Sequence, residues 1–211
     1  MEGDAPKQYA PLLGRPMLWH AIRAVCVPPV TSVFVALSPS DDAYNAQDWS
    51  AFGVGLVPLY CGGETRRDSV YNGLVAAMAQ MDADDWVLVH DAARPCLPPQ
   101  DLKNLVSEVQ GDAVGGILAL PVADTVKRVA DGRVVATEDR AQIWLAQTPQ
   151  MFRASLLMQA LQQAKGTVTD EASAVEQIGL KPRIVAGSRE NLKVTWPGDL
   201  AIAEGILRGR Q

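Results

Sequence analysis

Long apolar runs, histidine, excess positive charge and clustered cysteine are what this chain lacks, and each gap closes off a class of function. No apolar stretch approaches the roughly 20 residues that cross a bilayer, so no membrane span is expected, and no signal peptide is expected either. The formal net charge is -5, which leaves no global basic field for nucleic acid. There are two histidines, His20 and His90, and neither has an obvious acidic partner in the sequence. His20 falls inside a helical pattern and reads as structural. His90 abuts Asp91 but equally closes a strand. Acid-base and covalent catalysis are therefore not expected. The three cysteines, Cys26, Cys61 and Cys96, stand far apart without metal-ligand spacing and read as free thiols in a reducing cytosol. Metal-hydrolase motifs, nucleophile elbows and P-loops are missing as well.

What is present is an ordinary soluble composition. Of 211 residues, 48% are hydrophobic and 20% charged, enough for a real core in one domain. Residues 1–15 are polar, rich in glycine and proline, and read as a loop. Residues 16–25 carry apolar side chains at helical spacing, with Pro16 suited to the first turn. Strands are expected at 32–38, 55–61, 86–90, 112–120, 182–186 and 191–195. Helices are expected at 41–49 (weak), 68–81, 98–109, 153–165, from Thr169 as N-cap to 178, and at 199–207. Residues 125–137 alternate polar and apolar around Asp131-Gly132, as a hairpin with one wet face does. Such an arm is barely stable alone, so a second subunit is its natural cover. Residues 144–148 look extended and stop at Pro149. Strands alternating with helices imply an α/β domain with a mostly parallel sheet.

The stretch that organises the chain runs Trp-Val-Leu-Val-His-Asp-Ala-Ala-Arg-Pro over residues 86–95. Its apolar half reads as a strand buried on both faces, as in the middle of a parallel sheet. In open α/β sheets ligands bind beyond the carboxyl ends of strands, which is where Asp91 and Arg94 fall. A plainer reading makes Asp91 a helix cap and Arg94 its ion-pair partner. Upstream, Gly62-Gly63 leads into residues 64–69 and a helix start, a unit suited to gripping an anion or a base edge but equally a simple tight turn. Cations recur at strand ends and loops: Lys7, Arg66, Arg67, Arg94, Arg140 and Lys193. Threonines 125, 148 and 169 accompany them. Gathered into one pocket, they suit a phosphorylated substrate. Taken singly, each is equally a solvated charge. Nucleotidyl transfer needs positioning and charge neutralisation rather than a protein nucleophile.

Eight segments then fall in one order. They are Pro6-Lys7-Gln8-Tyr9, the Gly62-Gly63 to Ser69 run, Val89 to Pro95, Pro121 to Lys127, Asp139-Arg140, Thr148-Pro149-Gln150, Thr169-Asp170-Glu171-Ala172, and Leu192-Lys193-Val194-Thr195. Together they resemble the 2-C-methyl-D-erythritol 4-phosphate cytidylyltransferase family, over essentially the whole chain.

The resemblance implies a Rossmann-like nucleotidyltransferase domain over residues 1–211 with a protruding dimerisation arm at 122–147. It implies a cytoplasmic homodimer that joins CTP to a polyol phosphate, with magnesium carried mainly on the CTP phosphates and with release of pyrophosphate. Lys7 would stabilise the pentavalent phosphorus. Gly63 and Ser69 would hold the cytosine, with Glu64 near it, and Asp91 would face the ribose or the magnesium. Arg94, Thr169 and Lys193 would contact the substrate phosphate region, and Lys193 and Arg140 would share in catalysis with Lys7. Thr125 and Arg140 would come from the partner's arm. One departure stands out. The family's first strand and Ala-Ala-Gly-x-Gly-x-Arg loop, which wraps the triphosphate, are expected upstream of Pro6 but are not in this sequence. A form lacking them is expected to lose stability and CTP binding. Two alternatives stay open at this point: ribitol 5-phosphate as the polyol, and a non-catalytic nucleotide-binding relic.

Overall fold

The computed structural model describes residues 6–210. In chain order the elements are β1 (Pro11–Leu12), β2 (Arg15–Pro16), α1 (Met17–Val25), β3 (Val33–Ala36), β4 (Leu56–Leu59), α2 (Arg66–Ala77), β5 (Trp86–Val89), α3 (Pro99–Val109) and β6 (Gly115–Pro121). They continue with β7 (Lys127–Ala130), β8 (Arg133–Thr137), β9 (Trp144–Arg153), α4 (Ala154–Gln163), α5 (Glu171–Gln177), β10 (Arg183–Ala186) and α6 (Pro197–Arg208).

The central sheet has the order β10-β6-β9-β5. Its pairings are mixed: β10 runs parallel to β6, while β9 is antiparallel to both β6 and β5. A second, parallel pair joins β3 to β4. Helices cover both faces of the central sheet, so β6 is buried along most of its length. Ile117 on one face packs with Phe152, Leu157, Leu161 and Val175 from the α4–α5 side. Leu118 on the other face packs with Leu102, Leu105 and Val109 of α3.

Strand β5 has both faces covered, as its sequence implies: Val87 and Val89 join the first cluster, Trp86 and Leu88 the second. It is not in the middle of a parallel sheet, however. It occupies an edge of the central sheet and pairs antiparallel with β9 alone among the described residues. An apolar run reports that both faces are covered, not which neighbours share its hydrogen bonds.

Other boundaries differ for local reasons. In the polar segment at the start, whose first five residues lie outside the described residues, a 3₁₀ turn (Lys7–Tyr9) and the small β1–β2 hairpin replace a plain loop. Residues 41–49 form only a 3₁₀ turn at Tyr44–Ala46. Helix α2 starts at Arg66 because Thr65 and Asp68 make a reciprocal capping box. Helix α5 is capped by Asp170 rather than Thr169, again reciprocally, with Ser173. Residues 191–195 make no strand: Val194 N–H donates to Ala93 O at 2.8 Å, and the segment is otherwise irregular.

Pro149 does not stop the extended segment, because β9 passes through it. Gln150 pairs with Ile117 and Ala146 with Ala119, so Gln147, Thr148 and Pro149 lie opposite Leu118 alone. At such a bulge a ladder N–H is not needed, so proline fits.

Gly115 opens β6 at φ +123°, where a Cβ would press on Met151 O and stand 2.5 Å from Phe152 Cδ1. Both obstacles belong to β9 and cannot yield. Gly115→Ala should therefore cost more than about 2 kcal/mol, combining backbone strain with overpacking. Urea unfolding measures it, and an unchanged midpoint at unchanged slope would contradict this account of the strand start.

Candidate active site

The chain leaves β5 through His90 into the turn Asp91-Ala92-Ala93-Arg94, closed by Arg94 N–H donating to Asp91 O at 2.9 Å. This turn borders a cleft of about 230 Å³. Arg66, Asp91, Arg94, Thr148, Gln150, Thr169, Asp170 and Lys193 line it. Its walls come from the ends of β5 and α2, the β9 bulge, the start of α5 and the irregular segment before α6.

Arg66, the first residue of α2, sits between two carboxylates. Its Nη1 and Nη2 donate to Glu171 Oε1 and Oε2 at 2.5 and 3.0 Å, a two-pronged fork. Its Nε and Nη2 reach Asp91 Oδ1 at 3.2 and 3.0 Å. Burial works against the Arg66 charge, but Glu171 and Asp91 more than offset it and hold the guanidinium protonated. Asp91 Oδ2 receives Lys193 Nζ at 2.8 Å. Burial pushes the Asp91 carboxyl up, yet Arg66 and Lys193 prevail and keep it below the ordinary carboxylate range.

Arg94 is 8% exposed. Its Nη1 donates to Asn191 O at 2.6 Å and its Nη2 to Ala146 O at 3.4 Å. Its Nε is buried without a partner, 4.0 Å from Asp91 Oδ2. A buried donor left unsatisfied beside a polar cleft is a place for an acceptor to dock.

The bulge of β9 supplies the scaffold. Thr148 Oγ1 accepts from Asp91 N–H at 3.0 Å and bonds His90 Nδ1 at 3.1 Å. The other ring nitrogen of His90 lies 3.0 Å from Arg94 O. Since a carbonyl only accepts, that nitrogen carries the proton, and the neutral ring then accepts from Thr148. Burial lowers the imidazole to about 4. His90 is therefore a neutral strut with both nitrogens engaged, not a general base. Burial lowers His20 too, and its Nε2 meets Leu12 O at 2.7 Å. Gln150 fixes the start of α5 by donating to Asp170 Oδ2 and accepting from Ala172 N–H, both at 2.8 Å.

Of the residues singled out from the sequence, Arg66, Asp91, Arg94, Thr148, Thr169 and Lys193 come together around the cleft. Gly63, Glu64 and Ser69 do not line it. They form the turn before α2, where Gly63 N–H donates to Ser69 Oγ at 3.0 Å. A Cβ on Gly62 would stand 2.8 Å from Leu37 O, which accounts for the first glycine of the pair. Lys7 reaches Thr195 O at 3.4 Å, two residues beyond Lys193. Thr125 and Arg140 lie exposed on the arm, Arg140 donating to Ala123 O, and neither enters the cleft of its own chain.

Glu171, 1% exposed, was not singled out, because an acid in a first helical turn reads as a solvated partner of the helix dipole. Gln150 and Asp170 were missed for a similar reason: their partners are far away in sequence. Arg66 stood out only as one cation among several.

No three His, Cys, Asp or Glu gather for an ion among the described residues, and both Asp91 oxygens are engaged by cations. A larger groove of about 680 Å³ lies against α4 and the end of α5, but Lys165 is its one charged lining residue. It gathers no chemistry. None of the described helices is long and apolar enough to cross a membrane.

Known proteins resemble this chain over nearly all of its length. The family profile described as "IspD: 2-C-methyl-D-erythritol 4-phosphate cytidylyltransferase" matches residues 1–209. A protein of Azoarcus sp. (strain BH72) named 2-C-methyl-D-erythritol 4-phosphate cytidylyltransferase is 54% identical over 213 residues, covering 100% of this chain and 89% of that protein. A crystal structure titled 4-diphosphocytidyl-2C-methyl-D-erythritol synthase superposes with a TM-score of 0.87 at 41% identity, covering 96% of this chain and 95% of the other. The Francisella tularensis 2-C-methyl-D-erythritol 4-phosphate cytidylyltransferase superposes with a TM-score of 0.82 at 38% identity, covering 97% and 94%.

The His90 strut generates a pH prediction. Its folded value, about 4, lies below the unfolded 6.5. Between those values the unfolded chain binds the extra proton. Stability is thus fully present above pH 6.5 and falls as the pH drops toward 4, by up to about 3 kcal/mol from this residue. Urea unfolding across that window should show a shallower loss for His90→Gln than for the wild type; parallel curves would contradict a neutral His90.

Proposed function

The chain belongs to the 2-C-methyl-D-erythritol 4-phosphate cytidylyltransferase family, and from that premise we infer how its residues carry the reaction. It transfers the cytidylyl group of CTP to 2-C-methyl-D-erythritol 4-phosphate, giving 4-diphosphocytidyl-2-C-methyl-D-erythritol and pyrophosphate. The observation that carries the mechanism is the cleft at the end of β5, where Arg94 keeps a buried unpartnered Nε and Lys193 rests on Asp91. Two groups there can accept an anion, and no nucleophile activated by a base is needed.

An oxygen of the polyol phosphate attacks the α-phosphorus of CTP in line, and the bond to the pyrophosphate oxygen breaks. Arg94, Lys193 and Thr169 hold the attacking phosphate. Lys193 exchanges its carboxylate partner for that phosphate, while Arg66 keeps Asp91 in place beside the ribose. Gly63 and Ser69 hold the cytosine edge through the turn before α2, with Glu64 beside it. Lys7 neutralises charge that grows on the equatorial phosphorus oxygens in the transition state. Magnesium, when bound, would be held mainly through the CTP phosphates and would neutralise their charge. We place the enzyme in the cytoplasm as a free, non-membrane protein that takes no nucleic acid.

The arm completes the site from a second copy. Val129, Val134 and Val135 of β7 and β8 are 57–61% exposed, and Leu145 of β9 is 57% exposed beside the half-exposed Trp144. A hairpin with such a surface has no core of its own. A homodimer buries it and carries Thr125 and Arg140 to the neighbour's cleft, where the guanidinium fork fits a phosphate.

Pyrophosphate release from CTP and magnesium should depend on methylerythritol phosphate, and ribitol 5-phosphate offered alongside should turn over more slowly. Faster release with ribitol phosphate would overturn the choice of polyol; release with neither would overturn the reaction. The shared site is tested by mixing an Arg140→Ala chain with a Lys7→Ala chain, each nearly inactive alone. If Arg140 acts in trans, the mixed dimer has one site with both defects and one with neither, so activity returns on subunit exchange. Confirmed exchange without activity would place Arg140 in its own chain's site.

A further inference from the structure

We propose that Asp41 is a positioning residue for the transfer, anchoring the turn that carries Lys7 through Gln8 and Tyr9. The proposal rests on the reading of Lys7 given above. Asp41 follows β3 and is 7% exposed. Tyr9 Oη lies 2.8 Å from both of its carboxylate oxygens. Gln8 Nε2 donates to Oδ2 at 3.4 Å, and Tyr44 N–H donates to Oδ1 at 3.2 Å. These donors are all uncharged. A buried carboxylate is tolerated only when hydrogen-bonded, so the two donors that follow Lys7 hold Asp41 in place as much as it holds them.

The tie fixes the lysine from one side. Residues 6–10 are closed by Tyr9 N–H to Pro6 O at 2.9 Å and Ala10 N–H to Lys7 O at 3.0 Å. Tyr9 packs beside Leu18, Ile22, Val35 and Tyr44, so its ring and its hydroxyl are both held. Burial, then Asp41, push the Tyr9 hydroxyl far above its ordinary range, which keeps it a donor. With the backbone of Lys7 fixed, only its side-chain rotors remain, and Nζ already reaches toward Thr195 O. Placement of a charge at a transferring phosphorus is worth much rate and is lost on small displacement.

A double-mutant cycle in the full chain tests this. Lys7→Ala alone should lower kcat about 10²–10³-fold. Tyr9→Phe keeps the ring but removes the donor and should lower kcat roughly 10-fold, with KM for methylerythritol phosphate changed less than about 2-fold. Asp41→Asn keeps the shape and should act in the same direction. In the Lys7→Ala background both substitutions should change kcat by less than about 2-fold, because there is no longer a charge to misplace. Equal losses in both backgrounds would make Asp41 a fold residue only and overturn the inference, as would unchanged kcat in both single variants. A Lys7→Ala chain with normal kcat would instead overturn the reading of Lys7 itself, and the inference with it.

Discussion

The cleft depends on one guanidinium. Arg66 joins three elements that meet nowhere else in sequence: the start of α2, the end of β5 through Asp91, and the start of α5 through Glu171. Without it, Glu171, 1% exposed to water and already pushed up by burial, would have lost the cation that favours its charged form. Because Arg66 commits its fork to Glu171 and its remaining reach to Asp91, it is occupied in the free protein. The cations left to engage a substrate are Arg94, with one donor spare, and Lys193, half-exposed on an exchangeable carboxylate. The site divides labour in this way: the arginine committed to two carboxylates builds the frame, and the cations with a spare donor or an exchangeable partner are left for a ligand.

That division explains what could be read from residues alone. The helices with clear periodicity, the strand at 86–89 and the Asp131-Gly132 hairpin follow from local pattern and turn chemistry. Asp91 and Arg94 were legible because a short apolar strand points at whatever follows it. The bulge at Gln147–Pro149 was not legible, since proline in an extended run usually argues for a stop. Glu171 and Gln150 were hidden for a deeper reason: a buried polar residue looks like any surface polar residue until its partner, tens of residues away, is placed beside it. The helix starts slipped where a capping box, not periodicity, decides the first residue.

Both histidines serve the scaffold. They are held in the neutral form and bonded through ring nitrogens, and the cysteines are free, with burial pushing their thiols up. At the cleft, Glu171 and Asp91 hold Arg66 protonated, and Arg66 and Lys193 keep Asp91 below the ordinary carboxylate range. Such a site works by where its charges stand, which is why so many of its side chains are tied to backbone atoms.

Strand β9 runs from the exposed arm at Trp144 to the buried core at Phe152, with the bulge and Thr148 between. A strand advances about 3.3 Å per residue, so this one acts as a ruler with fixed graduations between the outside of the molecule and its reacting centre. Its register is pinned on both sides, by β6 and by β5. An inserted or deleted residue between Ala146 and Gln150 could not be absorbed by a loop. It would turn Thr148 and Gln150 to the opposite face and shift the arm by a whole graduation. The length of this segment should therefore be as strictly inherited as the identity of any residue in the cleft.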